Sequence, residues 1–238
     1  MVIHSLFDLL ALLTALTVYR LVPLATPGMP PEPWRAHRLY IAAGSLGATV
    51  GAYLFGSGNL WLSDVIGVAR SIEGAIAGAI VGIEALKWYA GLRGSTGLRL
   101  VAPLAAAIAV GRIGCFSAGL DDMTYGTPTA LPWGVDFGDG IPRHPVQLYE
   151  SLSMVAFLAV FAALLYRGGE GVRRTGFYLF VGIYAAQRFA WEFLKPYGTV
   201  AGPFNVFHLL SLVLITYAAI FAYQELRRPC PVTQPSPS

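Results

Sequence analysis

The 238-residue sequence predicts an all-α integral membrane protein with about seven transmembrane helices. Three observations lead there. Apolar residues make up 55% of the chain and charged ones 12%, roughly half the ~25% of an ordinary soluble domain. Mean hydropathy is +0.60. The apolar residues also fall into runs near the ~20 residues that a helix needs to cross a bilayer core.

The runs lie at 2–25, 38–56, 71–90, 98–114, 147–166, 175–194 and 204–223. The first is too long for a signal peptide, lacks a basic start and carries His4 and Asp8, so it reads as a retained helix. The second and third hold Gly47 and Gly51, then Gly74, Gly78 and Gly82. Small residues four apart let helix backbones approach closely in lipid, where packing drives association. The fourth run is short and leads into a segment, 111–150, too rich in glycine and proline to be one helix. The sixth carries Arg188 and Glu192, four residues apart and on one face. After the seventh, PCPVTQPSPS at 229–238 reads as a disordered tail. Residues 1–228 are expected to form a single membrane domain, with 111–150 as an extracytoplasmic motif segment.

Orientation follows from lysine and arginine, which favour cytoplasmic connections. One set of loops holds Arg35, Arg38, Lys87, Arg93, Arg99, Arg167, Arg173, Arg174, Arg227 and Arg228. The other holds Arg70, Arg112, Arg143, Arg188 and Lys195. The richer set puts the N-terminus outside and the C-terminus in the cytoplasm.

Several classes are excluded. The net charge of +3 is scattered through loops and forms no basic face for nucleic acid. The two cysteines, Cys115 and Cys230, fall on opposite sides of the membrane, which argues against a disulfide. Two cysteines and four scattered histidines give no metal-ligand spacing, and no cofactor is expected.

Charged groups at membrane depth are costly and mark a pathway or a site. The segment 111–150 holds Arg112, Asp121, Asp122, Asp136, Asp139, Arg143, His144 and Glu150. Arg143 and His144 precede Pro145 and suit the first turn of the fifth helix, whose free amides favour phosphate. Gln147 and Glu150 follow about one turn apart. Arg112, Arg143 and Arg188 share one headgroup level, and the guanidinium fork matches phosphate oxygens. Each has a bland alternative: snorkelling for Arg112, headgroup anchoring for Arg143 and His144, a structural ion pair for Arg188 and Glu192. Cys115 reads first as a small buried apolar residue and second as a thiol activated by Arg112.

The motifs GRIGCF at 111–116, YGTPT at 125–129, LPWGVDF at 131–137, PRHPVQLYE at 142–150 and RFAWEF at 188–193 occur in an order that resembles the prolipoprotein diacylglyceryl transferase family. The resemblance implies an enzyme of the bacterial plasma membrane working at the outer leaflet. Such an enzyme moves the diacylglyceryl group of phosphatidylglycerol to the lipobox cysteine thiol of a prolipoprotein, and glycerol phosphate leaves. It further implies Arg112 and Arg188 as phosphate contacts, with Arg143, His144, Gln147, Tyr149 and Glu150 matching a second block. Glu150, Glu192 and His144 stand as alternatives for the base. Tyr125, Cys115, Asp121, Asp122 and Glu73 are further expected substrate contacts. Three positions depart from the usual pattern. Cys115 stands where asparagine is usual, Asp121 or Asp122 replaces a glutamate, and Glu73 takes the place of a histidine. Those departures keep two alternatives open: a paralogue with another acceptor, and a non-enzymatic lipid-binding membrane protein.

Overall fold

A computed structural model of the chain describes residues 2–24 and 34–228. The expected tail with Cys230, and the side chains of His4 and Arg35, lie outside the described residues. Seven α-helices account for most of what is described: α1 (Val2–Leu21), α2 (Trp34–Leu62), α3 (Ile72–Tyr89), α4 (Val101–Ala118), α5 (Val146–Tyr166), α6 (Glu170–Glu192) and α7 (Val206–Arg227). Short 3-10 turns flank α4 at Leu98–Leu100 and Gly119–Asp122. A small hairpin, β1 (Val135–Asp136) with β2 (Pro142–Arg143), lies between α4 and α5. Among the described residues four spans are long and apolar enough to cross a membrane: Arg38–Leu62, Leu98–Asp122, Val146–Tyr166 and Val206–Arg227.

The bundle is apolar outside and buries charged groups inside. Leu12, Leu39, Ile41, Leu46, Val50, Leu152 and Val160 are exposed on the helix surfaces. Glu73, Arg112, Gln147, Glu150, Arg188 and Glu192 are buried. A soluble domain distributes these residue types the other way, and the inversion places lipid around the bundle. Trp61, Trp88, Tyr89 and Tyr166 are exposed near helix ends, as in an aromatic belt at the interface.

Glycine decides how α2 meets α3. A Cβ on Gly78 would lie 2.0 Å from the Gly47 carbonyl oxygen, and one on Gly51 would lie 2.2 Å from that of Gly74. The small-residue ridge thus brings the two backbones into contact, as its spacing predicts. Within GRIGCF, Gly114 serves the same end, because a Cβ there would sit 2.3 Å from Cβ of Phe7 on α1. Inside the bundle, Ile76, Val101, Met154, Phe157, Phe180, Tyr184 and Leu214 belong to one core from α3 to α7. Ser151 Oγ donates to the Ala109 carbonyl at 2.8 Å, tying α5 to α4.

Two local expectations are corrected. GRIGCF lies within α4, because that helix runs on to Ala118. Arg143 belongs to β2, and α5 begins only at Val146 after Pro145. The proline fixes its own φ but donates no N–H, and the extended pairing of Arg143 with Val135 takes the two residues before it out of the helix.

Candidate active site

Side chains from α4, α6 and the segment after α6 converge on one buried carboxylate. Glu150 on α5 is 1% exposed and faces three cations. Its Oε2 lies 2.9 Å from Arg112 Nε, and its Oε1 accepts from Arg188 Nη1 at 2.5 Å and from Lys195 Nζ at 3.1 Å. Arg188 extends the network: its Nη2 is 2.8 Å from Glu192 Oε2, and its Nε donates to Glu73 Oε2 at 3.4 Å. Arg112, Arg188 and Lys195 are thereby matched by Glu73, Glu150 and Glu192 in a charge-balanced cluster. Burying such charges is tolerable only when every one has partners, and helices α3 to α6 each supply at least one.

Helix α7 closes the cluster through its own N-terminus. Asn205 Oδ1 accepts from the Phe207 and His208 amides at 3.0 and 3.1 Å, and the Asn205 amide donates back to His208 Nδ1 at 3.2 Å. This is a reciprocal cap of the kind that satisfies a helix's first amides. Asn205 Nδ2 donates to Glu192 Oε1 at 2.9 Å, and Ser211 Oγ donates to Glu73 Oε1 at 2.6 Å. Both carboxylates therefore have neutral donors on the side away from Arg188.

The loop after α4 folds against the end of α6. Thr127 N donates to the Leu194 carbonyl at 2.6 Å, and Tyr197 Oη donates to that of Met123 at 2.9 Å. The Gly126 amide donates to the His144 carbonyl at 3.1 Å, and a Cβ on Gly126 would come within 2.4 Å of that oxygen. The glycine of YGTPT is therefore required by close approach. Asp136 builds the hairpin turn, accepting from the amides of Gly138 and Gly140 at 2.8 and 3.0 Å. Both glycines have positive φ, +104° and +75°.

The expected site residues thus divide. Arg112, Glu150, Arg188, Glu192 and Glu73 meet in the cluster. Gln147 is fully buried one turn before Glu150, and both its amide atoms lack a partner. Arg143 lies in the hairpin: Nη2 donates to Asp139 Oδ2 at 2.6 Å, and its guanidinium rests 4.9 Å from the Tyr125 ring centroid. That contact holds the exposed Asp139 carboxyl below its usual range. His144 Nδ1 lies 3.4 Å from Tyr149 Oη, which accepts from Trp133 Nε1 at 2.8 Å. Cys115 is a buried free thiol on α4. Asp121 is exposed, and Asp122 accepts from Thr124 Oγ1 at 2.6 Å.

Sequence reasoning missed Lys195, Asn205, His208 and Ser211 as members. Lys195 carried the signal, as a basic residue at the poorer end of the charge distribution. Asn205 carried another, three residues before His208 at a helix start. Ser211 had none. Among the described residues no group of three or more His, Cys, Asp or Glu is placed to hold a metal ion.

An apolar exterior, four membrane-length spans and an ion network sealed inside the helices define a polytopic membrane protein with charged groups in the bundle interior. Comparison with known proteins narrows the class. The model of the prolipoprotein diacylglyceryl transferase family matches residues 4–224, and the chain belongs to that family. It is accordingly a transferase. A Geobacter sulfurreducens protein named phosphatidylglycerol–prolipoprotein diacylglyceryl transferase is 32% identical over 200 residues, 77% of this chain and 74% of the relative. One of the same name from Cupriavidus metallidurans is 30% identical over 197 residues, 77% of this chain and 72% of its own. Another, from Chlamydia trachomatis, reaches 40% over 103 residues, 40% of this chain and 36% of its own. The search of solved structures found no match.

Proposed function

We propose that the protein transfers the diacylglyceryl group of phosphatidylglycerol to the cysteine thiol of a prolipoprotein lipobox. The observation that carries this reading is the pair of arginines, Arg112 and Arg188, held on one buried carboxylate inside a lipid-facing bundle. The names of the relatives supply the substrates. In the reaction, the cysteine sulfur forms a bond to the glycerol carbon while that carbon's bond to the phosphate oxygen breaks. The electron pair leaves with glycerol phosphate, and a base takes the thiol proton. Developing charge on the departing phosphate is best met by donors already in place and shielded from water. Arg112 and Arg188 are the donors we assign to it.

Glu150, Glu192 and Glu73 hold the arginines in orientation in this reading. Gln147, with neither amide atom satisfied, is assigned to a substrate polar group. His144, half-buried beside Tyr149, is the base we assign to the thiol. Arg143 acts outside the cluster, steadying the hairpin at the entrance. We further assign seven spans, an N-terminus outside and a C-terminus in the cytoplasm, following the lysine and arginine distribution. The cluster then faces the outer leaflet of the plasma membrane.

A second reading is a paralogue with the same lipid site and another acceptor. It draws on Glu73, which adds a third carboxylate to the cluster, and on Cys115 in the signature motif. The deciding experiment is transfer of labelled diacylglyceryl from phosphatidylglycerol to a lipobox peptide by purified protein, with Arg112→Ala and Arg188→Ala alongside. Activity lost in both variants while each stays folded supports the reading. Native protein that binds phosphatidylglycerol and transfers nothing to the peptide moves the assignment to the paralogue.

A further inference from the structure

The opposite end of the bundle contains a cavity that the transfer reaction does not use. It has a volume of about 540 Å³ and lies between the C-terminal ends of α3 and α7 and the start of α6. Glu73 and Lys87 are separated along α3 by about 21 Å, at 1.5 Å per residue, so cavity and ion cluster are distinct. The cavity lining holds three cations, Lys87, Arg93 and Arg228, two carboxylates, Glu84 and Glu225, and the aromatic Trp88, Tyr178 and Phe221.

We propose that this cavity binds the phosphate of an anionic phospholipid from the leaflet at the C-terminal end of the bundle. The charges favour a single anion. Lys87 Nζ donates to both oxygens of Glu84, at 2.8 and 3.0 Å, and Arg228 Nη1 donates to Glu225 Oε1 at 2.5 Å. Arg93 has no acidic partner among the described residues. The cavity therefore carries one uncompensated positive charge. Lys87 is buried and has a third ammonium proton beyond the two given to Glu84.

Backbone geometry puts Arg93 at the rim. After α3, the Leu92 amide donates to the Lys87 carbonyl at 2.8 Å, closing the helix end, and Gly91 and Gly94 adopt φ of +66° and +101°. The chain turns back there, so Arg93 lines the same cavity as the last turn of α3. Trp88 and Tyr89 are among the most exposed aromatic residues, each 87% exposed, and such rings sit at the headgroup level. A basic pocket between helix ends at that depth suits an acidic lipid headgroup. Trp88, Tyr178 and Phe221 in the lining offer apolar contact to the glycerol backbone.

The test is cross-linking of the full-length protein in lipid nanodiscs with a headgroup-proximal photoreactive phosphatidylglycerol, mapped by peptide mass. Labelling of the segment 88–94 is expected, falling about tenfold in Arg93→Glu, or about 1.4 kcal/mol, and restored in Arg93→Lys. The phosphatidylcholine analogue should label it weakly, and excess free glycerol phosphate should not compete. The transfer rate of Arg93→Glu should match the native protein, which excludes misfolding. Undiminished labelling in Arg93→Glu overturns the site. Loss of labelling to free glycerol phosphate overturns the lipid as its occupant.

Discussion

Arg188 on α6 donates to Glu150 on α5 at 2.5 Å, and the other oxygen of that carboxylate lies 2.9 Å from Arg112 on α4. One carboxylate therefore sets the spacing between two guanidinium groups on different helices. Moving Glu150 moves both arginines. In the proposed reaction a phosphate would meet a pair already held in place, and the orientation of that pair depends on Glu150 as much as on the arginines.

Glu150→Gln should cost more than either arginine's replacement by lysine. It removes the anion shared by Arg112, Arg188 and Lys195, and breaking a buried pair from one side destabilises by about 3–5 kcal/mol. Transfer activity should fall by at least ~100-fold. Thermal unfolding in detergent, run beside the transfer assay, separates lost orientation from lost fold.

Arg188→Lys should keep the fold and lose most of the rate. Arg188 contacts Glu73, Glu150 and Glu192 through three different nitrogens, a planar fork that a single ammonium cannot copy. A tenfold to hundredfold drop in kcat is the expected result, with a lower unfolding temperature because some of the three buried carboxylates lose their partner. Native-like kcat would remove Arg188 from the reaction.

Cys115→Ser should retain activity. The thiol is buried on α4 beside a motif glycine that packs against α1, which suits a small space-filling group. Transfer by Cys115→Ser within about threefold of native checks this; a complete loss assigns the thiol to the chemistry.

Gly78→Leu should destabilise the bundle. Even a Cβ there meets the Gly47 carbonyl at 2.0 Å, so α2 and α3 must separate. A cost of at least ~1–3 kcal/mol follows from overpacking, visible as a lower unfolding temperature. Gly58→Ala on the partner helix α2, where a Cβ meets nothing within 4 Å, is the control.

The Asp139–Arg143 contact should make the hairpin tolerant of acid. Arg143 holds the Asp139 carboxyl below its ordinary value, near 4 in an unfolded chain. Below that value the unfolded chain takes up a proton before the folded hairpin does. The contribution is therefore full above about pH 4 and is lost as pH falls through the lower folded value. Amide exchange across 135–143, corrected for intrinsic rates, should stay slow to below pH 4 in the native protein, and be faster at neutral pH in Asp139→Asn.

Much of the fold was legible because lipid imposes simple rules. Run length predicted helices over most of what became α2, α3, α5 and α7, and glycine spacing predicted close helix packing without saying which helices meet. The ends were less legible: α4 continues through GRIGCF because Gly114 packs on Phe7, and no periodicity announces that. Within the site, Arg112, Glu150, Arg188 and Glu192 were visible as charges where lipid tolerates few. The Arg188–Glu192 pair was legible as well, four residues apart on one face, and forms at 2.8 Å; the pairings across helices were not, since Glu73 lies 115 residues from Arg188. Arg143 shared their headgroup level in sequence, yet its nearest acid, Asp139, is four residues away in the hairpin and holds it there.

The cluster also bears on how the chain is made. Helix α3 carries Glu73 long before its arginine exists, because 115 residues separate Glu73 from Arg188. At about 5–20 residues per second, synthesis leaves α3 waiting roughly 6 to 23 s for α6. Through that interval the carboxylate has neither Arg188 nor Ser211, while α3 already has α2 pressed against it along the glycine ridge. The same close seam that fixes the finished bundle is thus an early support for an acid-bearing helix during insertion. A weakened seam would show first as degraded nascent protein, before any purified sample could reveal lost stability.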